Sequence, residues 1–168
     1  METIEEFKSN IVKKYQSLGL QALTSYLDDQ RTFFSEHEIR VIDFEFNPEH
    51  DGELIINFLV TGEEAWEEKV KKNSEYFTAD WEFYLFNVDI VPSEELSEVL
   101  RFELSPYIEN MSYEDIHNFY SELFLVLVDV LKADSVMSVI KTYNLAEDFR
   151  VQFIDSRDDE DYLDSANF

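Results

Sequence analysis

Residues 40–60 read RVIDFEFNPEHDGELIINFLV, and this stretch decides the fold class. Ile42, Phe44 and Phe46 alternate with Val41, Asp43 and Glu45, the period-two pattern of a half-buried strand. Leu54, Ile56, Phe58 and Val60 repeat the pattern after Asn47-Pro48-Glu49-His50-Asp51-Gly52. That run is rich in turn formers, so the two alternating segments predict an antiparallel hairpin. Asp43 and Glu45 lie two residues apart, on one face and about 6.6 Å from each other. Set against an apolar face, they are expected to look into solvent.

Outward toward the N-terminus the period changes. Ile4, Phe7, Ile11, Tyr15 and Leu18 recur at three- and four-residue steps, which lines one side of a helix. Thr3 and Glu6 have capping-box spacing. Gly19 is expected to end or kink this helix, after which Leu20, Leu23, Tyr26 and Leu27 resume the period toward Phe34.

Outward toward the C-terminus, Glu63, Glu64, Glu67 and Glu68 precede Lys69, Lys71 and Lys72, a distribution that suits the dipole of a short helix. Aromatic and β-branched residues predict a third strand around Trp81 to Ile90, stopped by Pro92. Ser93 is the expected N-cap of a helix burying Leu96, Val99 and Leu100, with Pro106 interrupting. Ser112 and Asp115 can cap the next helix, whose stripe Ile116, Phe119, Tyr120, Leu123, Leu127, Val130 and Leu131 marks it as the core helix. A shorter helix is expected from Ser135, through Val136, Val139 and Ile140. Phe149, Val151 and Phe153 alternate as a last strand. The fold class expected is therefore α+β: an antiparallel sheet of three to four strands packed against N-terminal and C-terminal helices. Residues 1–155 read as a single acidic domain. Residues 156–168 read as a mobile acidic tail, because Asp158, Asp159, Glu160 and Asp161 crowd together there.

Charge is the outlier of the composition. Thirty-eight Asp and Glu stand against 13 Lys and Arg, a formal net charge of −25. Acidic disordered chains are poor in aromatics, whereas here 15% of residues are aromatic, so the chain should fold despite its charge. Such an excess repels nucleic acid and anionic lipid, which argues against direct binding to either. A 20.0 kDa chain has a surface of roughly 9,000 Å², or about one acid per 230 Å². Spread evenly, the acids would sit about 15 Å apart, beyond the ~8 Å Debye length at physiological salt. A functional anionic surface therefore requires clustering.

Several chemistries are excluded by absence. There is no Cys, hence no disulfide, thiolate metal site or Cys nucleophile, which suits a cytoplasmic protein. Glycine occurs only at positions 19, 52 and 62, too sparsely for a phosphate-binding loop or a dinucleotide fingerprint. The N-terminus is acidic and lacks the layout of a signal peptide. The most apolar run, Leu123 to Leu131, is too short to cross a membrane. His37 and His50 stand beside carboxylates, but neighbours on a strand point to opposite faces, so no metal site is assigned. His117 reads as a boundary residue of its helix. The tail from Asp155 to Asp161 lacks the glycine of a calcium loop. No catalytic residue and no cofactor is expected.

What remains are acidic surfaces. In composition the chain resembles small acidic bacterial immunity or anti-defence proteins. That resemblance implies a non-enzymatic binder that neutralises one basic protein, such as a nuclease toxin or a nucleic-acid-binding protein. The candidate partner-binding residues are Asp43 and Glu45; Glu63, Glu64, Glu67 and Glu68 with Trp66 as an aromatic anchor; and Asp158, Asp159, Glu160 and Asp161. The alternatives are a DNA mimic, whose carboxylates would copy phosphate positions, and a structural or adaptor module with a solubilising halo. A metal- or acid-dependent hydrolase is a further class, which metal-dependent thermal stabilisation would reveal.

Overall fold

A computed structural model describes residues 4–46, 54–62, 81, 83, 94, 98–155 and 160–163. Helix α1 spans Ile4–Gln30 without interruption. Gly19 does not end it. A Cβ there would stand 3.1 Å from the Leu127 side chain, so the glycine serves close approach of two helices rather than termination. The buried stripe of α1 is Phe7, Ile11, Tyr15, Leu23, Tyr26 and Leu27. A 3-10 turn, Phe33–Glu36, then places the fully buried Phe34 before the first strand.

Strand β1 spans Ile39–Phe46 and β2 spans Leu54–Val60. They pair antiparallel, with Asp43 opposite Asn57 and Phe44 opposite Ile56, as the alternation predicts. The expected turn between them, the Glu63–Lys72 helix, the Ser93 cap and most of the Trp81–Ile90 strand lie outside the described residues. Within that last segment, Phe83 bridges Phe58 of β2 in antiparallel sense.

A π-helical turn, Val99–Leu104, leads into the short α2, Ser105–Ile108. Pro106 stands in the first turn of α2, where its missing N–H costs nothing, so it starts a helix rather than interrupting one. Helix α3, Tyr113–Leu131, begins as expected: the Ser112 hydroxyl accepts from the Asp115 N–H at 3.1 Å and donates to the Asp115 carboxylate at 2.6 Å. Its buried face includes Phe119, Leu123, Phe124, Leu127 and Leu131. Helix α4 spans Asp134–Ile140, burying Val136 and Ile140.

Strand β3, Leu145–Asp155, carries the correction to the fold class. It pairs with β1 in parallel, Ile42 opposite Val151 and Phe44 opposite Phe153, so the sheet is mixed rather than antiparallel. The cause is the connection: residues 47–144, including α3 and α4, separate β1 from β3. A parallel pair needs such a crossover, whereas a hairpin forces an antiparallel one. The sheet order is β2-β1-β3, completed by β4, Glu160–Asp161, antiparallel to the end of β3. The mobile tail expected from residue 156 does not hold for residues 160–163. Leu163 is buried, Tyr162 lies edge-on to the Phe124 ring, and Asp161 accepts from the Phe153 and Leu163 N–H groups.

One side of the sheet joins the helices in a continuous aromatic-rich core. Tyr15 of α1 meets Phe46 of β1 edge to face, and Phe124 of α3 stacks on Phe153 of β3 with centroids 4.2 Å apart. Phe34 stacks on Phe58, also at 4.2 Å. Large rings each bury 150–250 Å², which is how a chain this charged is held together. No helix among the described residues is long and apolar enough to cross a membrane.

Candidate functional site

The side of the sheet away from the helices is also buried. Val41 and Leu59 are fully enclosed and form a small apolar cluster with Trp81. Beside them lies a polar row. Asn57 of β2, Asp43 of β1 and Gln152 of β3 stand at one register across three strands, at 0%, 1% and 2% exposure. The Asn57 amide donates to Asp43 Oδ2 at 2.8 Å, and the Gln152 amide donates to Asp43 Oδ1 at 2.7 Å. Asn57 spends its second N–H on Glu45 Oε1, also at 2.8 Å. Each oxygen of Asp43 is thus matched to one donor, which is what a buried polar group requires.

Asp43 therefore does not look into solvent, and the sequence expectation for it is overturned. That expectation assumed a half-buried sheet, in which the side opposite the apolar face is wet. Here both faces are covered, so alternation no longer separates inside from outside. Glu45, nearer the strand end, is partly buried and shares the Asn57 amide. Burial raises the Asp43 pKa to about 7. The Asn57 and Gln152 hydrogen bonds oppose that rise, and the charge of Glu45 reinforces it.

The polar row was missed at Asn57 and Gln152, yet the sequence carries a signal for it. Ile42-Asp43-Phe44, Ile56-Asn57-Phe58 and Val151-Gln152-Phe153 are the same triplet, a β-branched residue, a polar one and a phenylalanine. In the sheet the three polar members fall in register. A polar residue held between two apolar neighbours and buried in the sheet is costly unless the others are its partners.

The remaining candidate residues separate into two groups. Glu63, Glu64, Trp66, Glu67, Glu68, Asp158 and Asp159 lie outside the described residues. Glu160 and Asp161 form β4, and the Asp161 carboxylate is directed into the chain's own backbone. Exposed acids occur on three of the helices: Glu5, Asp28 and Asp29 on α1, Glu114, Glu122 and Asp129 on α3, and Asp134 on α4. Three cations of the described surface are ion-paired within the chain, Lys14 with Glu103, Arg31 with Asp28 and Arg40 with Asp148. Glu36, Glu38, Glu109 and Glu147 have no ion-pair partner among the described residues.

The histidines show no metal geometry. His37 lies among the rings of Phe33, Phe34 and Phe83, and His117 stacks on Tyr113. Among the described residues no three His, Asp or Glu side chains are grouped to hold an ion. No protein-family model matches the sequence, and no curated protein or solved structure matches it.

Proposed function

We propose that this chain is a non-enzymatic acidic binding protein that inhibits or neutralises a basic protein, an immunity- or anti-defence-type partner of a nuclease or DNA-binding protein. The observation that carries the reading is the uncompensated charge of −25. Its support on the described surface is that exposed carboxylates such as Glu36, Glu38 and Glu147 have no ion-pair partner among the described residues. Such an exterior repels itself and gains on meeting positive charge, which speeds encounter and orients the complex. Asp43 is withdrawn from the contact surface because it is buried. The recognition residues proposed are Glu63, Glu64, Glu67 and Glu68, with Trp66 as the apolar anchor.

The test is affinity capture from source-cell extract at physiological salt, followed by purification of the retained protein and measurement of stoichiometry. One basic protein held in a one-to-one complex is the expected result. Replacing Glu63, Glu64, Glu67 and Glu68 together by Gln should slow its association and flatten the salt dependence. Inhibition of several unrelated DNA-binding proteins would favour DNA mimicry instead. Binding that disappears at ordinary salt, with no stoichiometric complex, would defeat the proposal and leave a solubilising role for the charge.

A further inference from the structure

Two carboxyl groups share one amide in the polar row. Asn57 donates one N–H to Asp43 and the other to Glu45, both at 2.8 Å. Asp43 is enclosed, and its two oxygens are met by one donor each, both of them neutral amides. Two negative charges on either side of a single amide, one of them shut away from water, repel more strongly than the amide can offset. Adding one proton removes the conflict: a protonated Asp43 keeps an acceptor for Gln152 and turns its O–H toward Glu45.

We propose that Asp43 and Glu45 hold one proton between them, and that this proton closes the Asn57–Asp43–Gln152 row as a pH-operated lock on the β2-β1-β3 seam. Deprotonation sends the proton to solvent through the partly exposed Glu45 and leaves two carboxylates bound to Asn57. The parallel β1–β3 junction is the part that yields, because Gln152 holds Asp43 by a single neutral bond. Among the described residues the charged groups facing the row are few. Glu45 comes from β1, and β2 presents Asn57 and no titratable residue. On β3, Arg150 lies two residues from Gln152 on the same side, while Trp81 covers the adjoining surface without charge. Burial and Glu45 both act to keep the proton on Asp43. The inference concerns the sheet alone and does not depend on the identity of a binding partner.

Backbone hydrogen exchange of the full chain, corrected for intrinsic rates, tests it. Protection of the Asp43, Phe44, Gln152 and Phe153 amides should fall by about tenfold or more between pH 5 and 7, since the open state releases the proton that the closed state keeps. Asp43→Asn should abolish most of that dependence. Glu45→Gln removes the neighbouring charge, so its drop should level off at lower pH, and this variant keeps the proposal testable should Asp43→Asn fail to fold. Equal pH dependence in wild type and Asp43→Asn would overturn it. So would a drop that Glu45→Gln leaves unmoved, or wild-type protection that stays flat.

Discussion

On the helix side of the sheet, Ile42, Phe44, Phe46, Ile56, Phe58 and Phe153 meet the rings and aliphatic chains of α1 and α3. On the other side, Val41, Leu59 and Trp81 adjoin Asp43, Asn57 and Gln152. Both sides exclude water, but they are held by different physics. The first gains from area removed from water and tolerates no charge. The second contains amides and a carboxyl whose cost is offset only while every partner is in place. The first should therefore be indifferent to pH and sensitive to volume, and the second the reverse.

The largest expected effect probes the apolar side. Phe44→Ala removes a fully buried ring and should cost about 3–5 kcal/mol in denaturant unfolding. That loss should be the same at pH 5 and pH 8. A pH-dependent loss would mean that the two faces are not separable.

Next comes the proton. The folded-state pKa of Asp43 lies above its unfolded value of 3.8, at about 7. The folded chain therefore holds a proton that the unfolded chain releases. The contribution is most favourable below pH 3.8, falls as pH rises toward 7 and is level above it. Its size is on the order of a few kcal/mol. The mounting negative charge of the other carboxylates acts in the same direction, so the difference between wild type and Asp43→Asn isolates the single site. Thermal unfolding from pH 4 to 8 should show a flatter curve for the variant.

Whether the second face was legible in the sequence depends on which residues are asked. The hairpin, the Ser112 cap and the core stripe of α3 followed from local rules, because spacing and capping are decided within a few residues. The direction of β3 did not. It depends on where a long connection returns the chain, and alternation within Phe149, Val151 and Phe153 is identical for either sense. Asp43 was misplaced for a related reason: alternation reports two faces but not whether the second is covered. The recurring triplet around Asp43, Asn57 and Gln152 held the missing information, since a polar residue flanked by a β-branched residue and a phenylalanine recurs once in each of three strands. The proposed recognition residues follow from charge alone, and charge excess names a class of partner rather than a contact surface.

Smaller effects sharpen the distinction within the polar row. Asn57→Ala strips a donor from both Asp43 and Glu45 and should cost about 1–3 kcal/mol, more at pH 8 than at pH 5. Gln152→Ala removes one bond to Asp43 and should cost less than Asn57→Ala under the same conditions. Equal losses would contradict the sharing of one amide by two carboxyls. Smallest of all, Glu147→Gln on the exposed start of β3 should change stability by no more than about 0.5 kcal/mol. A larger effect would give that surface acid a structural role of its own.

The most direct measurement is the ¹³C titration of the Asp43 side-chain carboxyl in the intact protein. A midpoint near 7, moving downward in Glu45→Gln, is the expected result. A midpoint near the ordinary aspartate value of about 4, unchanged by Glu45→Gln, would mean that Asp43 is ionised and solvated and that the second face holds no proton.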